Sequence, residues 1–327
     1  MKCTNKIFAI GFSLLFLVCS ITGCGYDKYD MPYTADSKIS SFRIVDLEGT
    51  RDTVPSFASS LCVASSDVNS SSARIPTGTS AGLFDIYGKN TIFAKNIHET
   101  LPPASLTKIM TAIVALKYGT PDQVLTATSN VKVAERDAQI LGLKVGDQMT
   151  LDQALHVLLL YSANDVANLI AEGIGGSVDD FVALMNEEAL KLGATNTHFC
   201  NPHGLSEDSH YTTAYDLYLI TNEAIKFELF NEIVLSPDYH SVYYDAAGNE
   251  QKVDIKSTNR YIQGNENAPD GITVIGGKTG TTEAAGSCLV IISKDTRSNP
   301  YISVVLHSTN RENLYQNMNS LLSLIPK

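Results

Sequence analysis

The sequence predicts an α/β (α+β) fold in which an antiparallel five-stranded sheet is flanked by helices and interrupted by an inserted all-helical region. Two strand patterns come first, a block of helical patterns follows, and three strand patterns and a last helix end the chain. A sheet assembled from both ends of a domain fits this order. Apolar residues make up 44% and charged residues 18% of the 327 residues, which suits a packed core and excludes general disorder. The net charge of −11 disfavours nucleic-acid binding, which needs a positive surface.

The N-terminal segment has the features of a secretion signal. Lys2 and Lys6 make the N-terminus positive, and an apolar run of 12 residues, 7–18, follows them. This run is shorter than the about 20 residues that a membrane-spanning helix needs. The run gives way to Ile21-Thr22-Gly23-Cys24, which resembles a bacterial lipoprotein signal. We therefore expect residues 1–23 to be a lipoprotein signal peptide and Cys24 to carry a membrane-anchoring lipid. An ordinary secretory signal is the alternative.

Residues 24–78 include a serine-dense stretch and keep neither a helical nor a strand period. We expect a flexible tether there, with a short strand near residues 42–45. Beyond Cys24, the mature chain keeps Cys62, Cys200 and Cys288, so at least one thiol is unpaired, and Cys288 is expected in the core. No metal-ligand spacing is present, so neither a metal nor another cofactor is expected.

The elements of residues 79–327, which we expect to form one domain, follow from apolar periodicity and turn residues. Apolar stretches at residues 81–87 and 91–95 flank Gly88-Lys89-Asn90, which is typical of a hairpin. Capping residues, prolines and glycines then mark the ends of five predicted helices. These helices cover residues 105–118, 151–161, 165–172, 178–192 and 214–226.

The last third of the chain returns to strands. Apolar runs at residues 272–277, 287–293 and 301–307 predict three of them. An apolar stripe with helical spacing then predicts a final helix with one buried face. The stripe consists of Leu314, Met318, Leu321, Leu322 and Ile325.

Three short motifs stand in order along this domain: Ser105-Leu106-Thr107-Lys108, Ser162-Ala163-Asn164 and Lys278-Thr279-Gly280. Each is weak alone, because residues 129–132 repeat the first pattern and residues 257–259 and 308–310 repeat the second. Position along the chain distinguishes the copies. Residues 129–132 lack a helix, and residues 308–310 lie downstream of the lysine motif.

The first motif lies at a predicted helix start. Ser105 follows a Pro-Pro break, and the free N–H groups and dipole of a helix N-terminus favour developing negative charge. Lys108 lies one turn further on the same face. A buried lysine near another cation tends to lose its proton and can act as a base. A simple N-cap role for Ser105 is the alternative.

The other two motifs are polar or small where their surroundings are apolar. Ser162-Ala163-Asn164 interrupts a leucine-rich helical block, which is costly unless it serves a function; a helix corner is the alternative. Lys278-Thr279-Gly280 follows Gly276-Gly277 on a predicted strand. Small residues there would let a substrate backbone lie along the strand edge; a strand-end turn is the alternative.

In this order the three motifs resemble those of the low-molecular-weight penicillin-binding proteins, the serine-type D-alanyl-D-alanine carboxypeptidases. The resemblance runs from about Ser80 to the C-terminus, and further family-like stretches are Asn201-Pro202-His203-Gly204-Leu205, Asp270-Gly271-Ile272 and Ala285-Gly286. It implies a DD-peptidase/β-lactamase-like fold, with residues 79–327 as the catalytic domain. It also implies peptidoglycan stem peptides ending in D-Ala-D-Ala as substrates and β-lactam antibiotics as covalent inhibitors. Together with the N-terminal signal, it predicts an extracytoplasmic, lipid-anchored location.

The resemblance assigns four catalytic residues. It makes Ser105 the acylated nucleophile and Lys108 its general base. Ser162 would relay a proton to the leaving D-alanine, and Lys278 would tune Ser162 electrostatically. Each role is carried over only because the residue occupies the matching motif position.

The resemblance also assigns substrate-binding residues. Asn164 would hold the substrate amide, and the backbone N–H groups of Ser105 and Thr281 would form an oxyanion hole. Arg311 would bind the terminal carboxylate, for which a bidentate guanidinium is suited. The strand residues that would dock the substrate are Thr279, Gly280 and Thr281. Asn201 and His203 are expected to shape the loop beneath the site rather than to react.

Two departures from the family pattern are visible. Ala163 stands where glycine is commoner in the family, and no β-rich domain or amphipathic anchor follows the last helix, so we expect the N-terminal lipid to act as the tether.

Three other functions are alternatives for this sequence. A β-lactamase on the same fold would need a glutamate about 36 residues after Ser162, where the sequence has His198-Phe199-Cys200-Asn201. A DD-endopeptidase would share the acyl-enzyme and stays open. The intact motifs disfavour a non-catalytic lipoprotein that only binds peptidoglycan or a β-lactam.

Overall fold

The computed structural model describes residues 43–45, 51–53, 58–135 and 138–326. The signal peptide and Cys24 lie outside the described residues. Strands β1 (Arg43–Val45) and β2 (Arg51–Thr53) pair antiparallel within a first unit, Met1–Ser56, and β1 confirms the predicted short strand. In the ranges that the structure describes, no helix combines the length and the apolar character needed to cross a membrane.

The second unit, Phe57–Lys327, carries the remaining elements. Its strands are β3 (Ser80–Asp85), β4 (Asn90–Lys95), β5 (Val124–Thr126), β6 (Gln148–Thr150), β7 (Asp238–Tyr244), β8 (Glu250–Lys256), β9 (Thr273–Thr282), β10 (Gly286–Lys294) and β11 (Pro300–Ser308). Its helices are α1 (Thr107–Tyr118), α2 (Leu151–His156), α3 (Asn164–Gly175), α4 (Val178–Lys191), α5 (Ala214–Ala224), α6 (Glu228–Leu235) and α7 (Arg311–Leu322).

Five strands form the predicted antiparallel sheet, in the order β4-β3-β11-β10-β9. Alternate residues serve its two faces, as the strand period requires. Ile302 and Val304 of β11 pack in the core with the helical region, whereas Tyr301 and Val305 pack in a second cluster with α7. The stripe predicted for the last helix is buried in that second cluster. The sheet therefore separates two helical layers, and β9 forms one of its edges.

The helical block lies between β4 and β9 in sequence. Helix α1 is buried along Thr107–Ala115 and so forms its centre. A capping box between Thr150 and Gln153 starts α2, as the sequence predicts. Helix α3 runs past the predicted end at Glu172 and stops only at Gly176, whose φ of +81° suits glycine.

Two parts of the fold differ from expectation. Helix α6 and the hairpin of β7 and β8 were not predicted; β5, β6, β7 and β8 form a separate four-stranded sheet. Because β7 and β8 are half-exposed and mostly polar, they carry little apolar signal. The predicted tether also extends too far: Cys62 and Ile75 are buried, and Val68 pairs with Ala94 of β4. The compact unit therefore begins near Phe57 rather than at residue 79.

Candidate active site

Ser105 lies in a tight 3₁₀ turn, Ala104–Leu106, which leads directly into α1. The preceding residue, Ala104, has a φ of +48°, a left-handed conformation that alanine rarely adopts. Such backbone strain persists only where surrounding contacts enforce it, and it is common at functional sites. The turn places Ser105, half-buried, at the N-terminal end of the most buried helix.

The Lys108 side chain is fully buried and contacts three oxygen atoms. Its Nζ lies 2.9 Å from Ser105 Oγ, 2.7 Å from Asn164 Oδ1 and 2.6 Å from the His203 carbonyl oxygen. Burial, and then the charge of Lys278, lower the Lys108 pKa well below its usual value. A neutral amine has two hydrogens and one lone pair. Because the amide and carbonyl oxygens can only accept, a neutral Lys108 would donate its two hydrogens to them and keep its lone pair for the Ser105 hydroxyl.

Ser162 is presented by an irregular helix end. After α2 the chain continues as a π-helical turn, Val157–Tyr161, and Ser162 follows with a φ of +70°. Lys278 Nζ donates to Ser162 Oγ at 2.9 Å and to the Thr279 carbonyl oxygen at 2.9 Å. Lys278 is buried, and this burial lowers its pKa to about 7. The predicted second serine and second lysine are thus in direct contact, although 116 residues separate them.

Strand β9 approaches the Ser105 turn closely because residue 280 is glycine. A β-carbon there would lie 2.9 Å from the Ser105 backbone nitrogen and 3.1 Å from Ala104 Cβ. Thr279 Oγ1 lies 2.6 Å from Thr258 Oγ1, and the Thr281 hydroxyl donates to the Gly280 carbonyl at 2.8 Å. Lys278-Thr279-Gly280 is therefore inside a strand, not at its end, and it borders the Ser105 turn.

The Asn201–Leu205 loop supports the site from below. Asn201 Oδ1 accepts a hydrogen bond from the Gly204 backbone at 2.7 Å, and the His203 carbonyl binds Lys108. Gly204 has a φ of +89°, and a β-carbon there would lie 1.9 Å from the Ala104 carbonyl oxygen. Burial is the main cause that lowers the His203 pKa to about 3. This geometry favours the expected structural role of Asn201 and His203.

Sequence reasoning did not identify Asp165, which follows Asn164. Its carboxylate accepts backbone hydrogen bonds from Leu141, Gly142 and Leu143 at 2.7–3.0 Å. The Asn164 N–H also donates to the Gln139 carbonyl at 2.8 Å. The loop at residues 139–143 is therefore held against the Ser162 motif. The one signal available in the sequence was an acidic residue in the first turn of a helix.

Arg311 is the first residue of α7 and is exposed. It lines a cavity of about 330 Å³ together with Tyr161 and Thr258, and Thr258 contacts Thr279. Strand β10 lies between β11 and β9, so the strand that precedes Arg311 does not adjoin the lysine strand. Arg311 shares the cavity with Thr258, and Thr258 contacts β9. Lys256 and Arg260 line the same cavity, two further cations that the sequence did not single out.

Of the repeated motifs, residues 257–259 border the candidate site, since Ser257 and Thr258 line the Arg311 cavity, whereas the other two are separate from it. Ser129 and Lys132 are exposed on the surface, and Asn310 caps α7. Cys62, Cys200 and Cys288 are all free thiols, and Cys288 is fully buried as predicted. The structure thus brings Ser105, Lys108 and Asn164 together, with Lys278 beside Ser162 and close enough to lower the Lys108 pKa.

A pH-dependent stability difference is expected from Lys278. Its folded pKa of about 7 lies below the about 10.4 of an unfolded lysine, so the unfolded state binds more protons between these values. Stability therefore rises with pH in that window, by at most about 1.4 kcal/mol per pH unit from this group. Denaturant unfolding of the wild type and of Lys278→Met is measured at pH 7 and at pH 9. From pH 7 to pH 9, the free energy of unfolding of the wild type should increase relative to that of the variant. A constant difference would contradict the lowered pKa.

A half-buried serine lies beside a buried lysine of low pKa, and a second serine, at a helix end, contacts a lysine of the edge strand; together they define a candidate active site of the acyl-enzyme-forming serine class. Residues 68–310 match the family model described as D-alanyl-D-alanine carboxypeptidase, peptidase S11. The chain belongs to this family, which confirms the resemblance stated from its motifs.

Curated relatives and solved structures agree with this family. The chain is 33% identical over 209 residues to the D-alanyl-D-alanine carboxypeptidase DacF of Bacillus subtilis, covering 62% of this chain and 50% of the relative. It is 37% identical over 191 residues to DacB2 of Mycobacterium tuberculosis, covering 58% and 61%. The chain thus spans about half the length of DacF.

Among solved structures, the crystal structure of the Streptomyces K15 DD-transpeptidase is similar, with a TM-score of 0.67 and 26% identity. The similarity covers 75% of this chain and 95% of that one. It confirms the predicted fold class.

Proposed function

We propose that this protein is a serine-type D-alanyl-D-alanine carboxypeptidase that removes the terminal D-alanine from peptidoglycan stem peptides. The observation that carries the proposal is the Lys108 amine, which is buried and 2.9 Å from Ser105 Oγ, with its two other contacts made to oxygens that only accept. This arrangement supports a base that is neutral at working pH. Membership of the peptidase family supports the substrate class.

Acylation would begin when Lys108 takes the Ser105 hydroxyl proton. The Ser105 oxygen attacks the carbonyl carbon of the penultimate D-alanine, and the negative oxygen that forms is held by the N–H groups of Ser105 and Thr281. The close approach at Gly280 supports this pairing of turn and strand.

Collapse of the intermediate breaks the peptide C–N bond. Ser162 relays a proton to the departing D-alanine nitrogen, so that the proton which Lys108 took from Ser105 leaves with the amine, and Lys278, 2.9 Å from Ser162 Oγ, stabilises that transfer. Water then hydrolyses the acyl-enzyme and releases the shortened peptide.

The substrate peptide would lie along the open edge of β9. At one end, a cavity of about 760 Å³ adjoins Thr281, Thr282 and Leu205 and could take the acyl side of the peptide. At the other end, the cavity at Thr258 and Arg311 would take the terminal carboxylate. Thr279, Gly280 and Thr281 would pair with the peptide between them, and Asn164 would hold its amide.

Slow hydrolysis of a β-lactam adduct is also expected. The sequence has His198-Phe199-Cys200-Asn201 about 36 residues after Ser162, where a β-lactamase of this fold would carry its deacylating glutamate. This supports covalent inhibition by β-lactams over their rapid destruction.

The direct test uses the wild-type protein. Mass spectrometry after benzylpenicillin should show one adduct on the peptide that contains Ser105, and a peptide ending in D-Ala-D-Ala should release free D-alanine. A cross-linked stem-peptide dimer in the same assay separates carboxypeptidase from endopeptidase activity. An adduct on Ser129, or no adduct together with no D-alanine release, would overturn the proposal.

Arg311→Ala is expected to weaken carboxylate recognition. Loss of one or two charge-assisted hydrogen bonds should lower kcat/KM on D-Ala-D-Ala peptides by about 10- to 100-fold, with little effect on folding because Arg311 is exposed. A peptide amidated at its C-terminus should be a poor substrate for the wild type and should lose little more in the variant. Equal losses on both peptides would show that Arg311 does not read the carboxylate.

We further propose that the protein is held outside the cytoplasm by a lipid on Cys24. The motif Ile21-Thr22-Gly23-Cys24 at the end of the apolar run supports this. Cys24→Ser should release the protein from the membrane fraction and leave its precursor uncleaved, as judged by fractionation and mass. Unchanged fractionation and processing in that variant would refute the anchor.

A further inference from the structure

His210 is a buried histidine that the proposed reaction does not use. Its imidazole links the loop at Cys200 to the first turn of α1. The Cys200 backbone nitrogen lies 3.0 Å from His210 Nδ1, and His210 Nε2 lies 2.8 Å from Thr107 Oγ1. Thr107 Oγ1 in turn lies 2.8 Å from the Ala104 carbonyl oxygen. These contacts form one continuous chain of hydrogen bonds.

The direction of every hydrogen bond in this chain is determined by its two ends. A backbone N–H can only donate, and a backbone carbonyl can only accept. Nδ1 of His210 therefore accepts from Cys200, Nε2 carries the single ring proton and donates to Thr107, and Thr107 donates to Ala104. Burial, followed by the charges of His198 and Lys108, lowers the His210 pKa to about 4, which agrees with a neutral ring.

This chain of hydrogen bonds ends at the Ala104 carbonyl, in a strained part of the backbone next to the proposed nucleophile. Ala104 has a φ of +48° and immediately precedes Ser105. On its other side, Gly204 lies so close that a β-carbon would come within 1.9 Å of the Ala104 carbonyl oxygen. The Ala104 carbonyl is therefore held between Thr107 and Gly204. Its orientation sets the direction of the Ser105 N–H, which faces Gly280 of β9.

We propose that His210 is a positioning residue: acting through Thr107, it holds the Ala104 peptide and so aligns Ser105 for acylation. The inference rests on the proposed function. The residues that would bind the peptide lie on β9 and around Thr258. Loss of the hydrogen bonds between His210, Thr107 and Ala104 should therefore slow acylation of Ser105 without weakening the first, non-covalent complex.

Pre-steady-state acylation by a fluorescent penicillin separates these two quantities. Thr107→Val removes the hydroxyl at nearly constant shape and should lower the first-order acylation rate about 10- to 100-fold, with the non-covalent dissociation constant within about twofold of wild type. Thr107→Ser keeps the hydroxyl and should restore most of the rate. Thr221→Val is the matched control, since the Thr221 hydroxyl is also buried but has no hydrogen-bond partner among the described residues. This control should acylate at the wild-type rate.

A double-mutant cycle between His210 and Thr107 provides the second readout. His210→Ala should slow acylation to a similar degree, and the double variant with Thr107→Val should be little slower than either single one. The proposal would be overturned if the two single-variant losses in acylation rate multiplied in the double variant. It would also be overturned if the non-covalent complex were weakened, or if the folded variants acylated at the wild-type rate. If His210→Ala does not fold, the Thr107→Val and Thr107→Ser pair decides. A wild-type protein that no penicillin acylates would instead remove the proposed function itself.

Discussion

Replacing Ser105 with alanine is expected to abolish the penicillin adduct and to lower D-alanine release by more than about 10³-fold, because the variant lacks the hydroxyl of the proposed nucleophile. Folding should be unaffected, since Ser105 is only half-buried and, among the described residues, its side chain hydrogen-bonds only to Lys108. The adduct is measured by intact mass, and the release by an assay for free D-alanine.

The chain contains a matched control for this experiment. Ser129 has the same spacing to a lysine, but it is exposed on the surface. Ser129→Ala should therefore acylate like the wild type. Retention of the adduct in Ser105→Ala, or its loss in Ser129→Ala, would show that the nucleophile has been misassigned.

Replacing Lys108 with methionine is expected to slow acylation of Ser105 by about 10³-fold or more. Methionine fills a similar volume but cannot take the Ser105 proton, and general-base removal typically costs two to four orders of magnitude. The non-covalent affinity for the penicillin should change much less. Stopped-flow measurement of acylation with a fluorescent penicillin gives both values.

Lys132→Met is the corresponding control, since Lys132 is the exposed lysine of the repeated motif. Its acylation rate should equal that of the wild type. Raising the pH should not rescue Lys108→Met, because the missing group is the base itself. A Lys108→Met protein that acylates at a normal rate would mean that another group, such as Lys278, activates Ser105.

The strands of the sheet and the last helix were predictable because each leaves a local pattern, whereas the pairing of serines with lysines was expected from the family resemblance. The apolar runs of β10 and β11 and the stripe of α7 are buried, and burial leaves a periodic signature. Three motifs, each weak alone, became informative through their order along the chain. The contact of Ser162 with Lys278 could then be expected, although only the folded chain shows its distance.

Other features left no such signature. The role of Asp165 depends on three backbone N–H groups of a loop more than twenty residues earlier, and no spacing rule encodes that contact. The hairpin of β7 and β8 is half-exposed, so its side chains are mostly polar. The left-handed conformations of Ala104 and Ser162 are imposed by tertiary contacts, because neither residue type favours them.

The position of β9 at the sheet edge has a consequence for solubility. Unpaired edge strands invite pairing with other chains, and long, flat edges are sites of aggregation. Here the first half of β9 is covered: a β-carbon on Gly276 would lie 2.5 Å from Val234 of α6. The second half, Lys278–Thr282, lies beside the Ser105 turn. The open part of this edge is therefore five residues long, and short edge strands limit pairing with other chains.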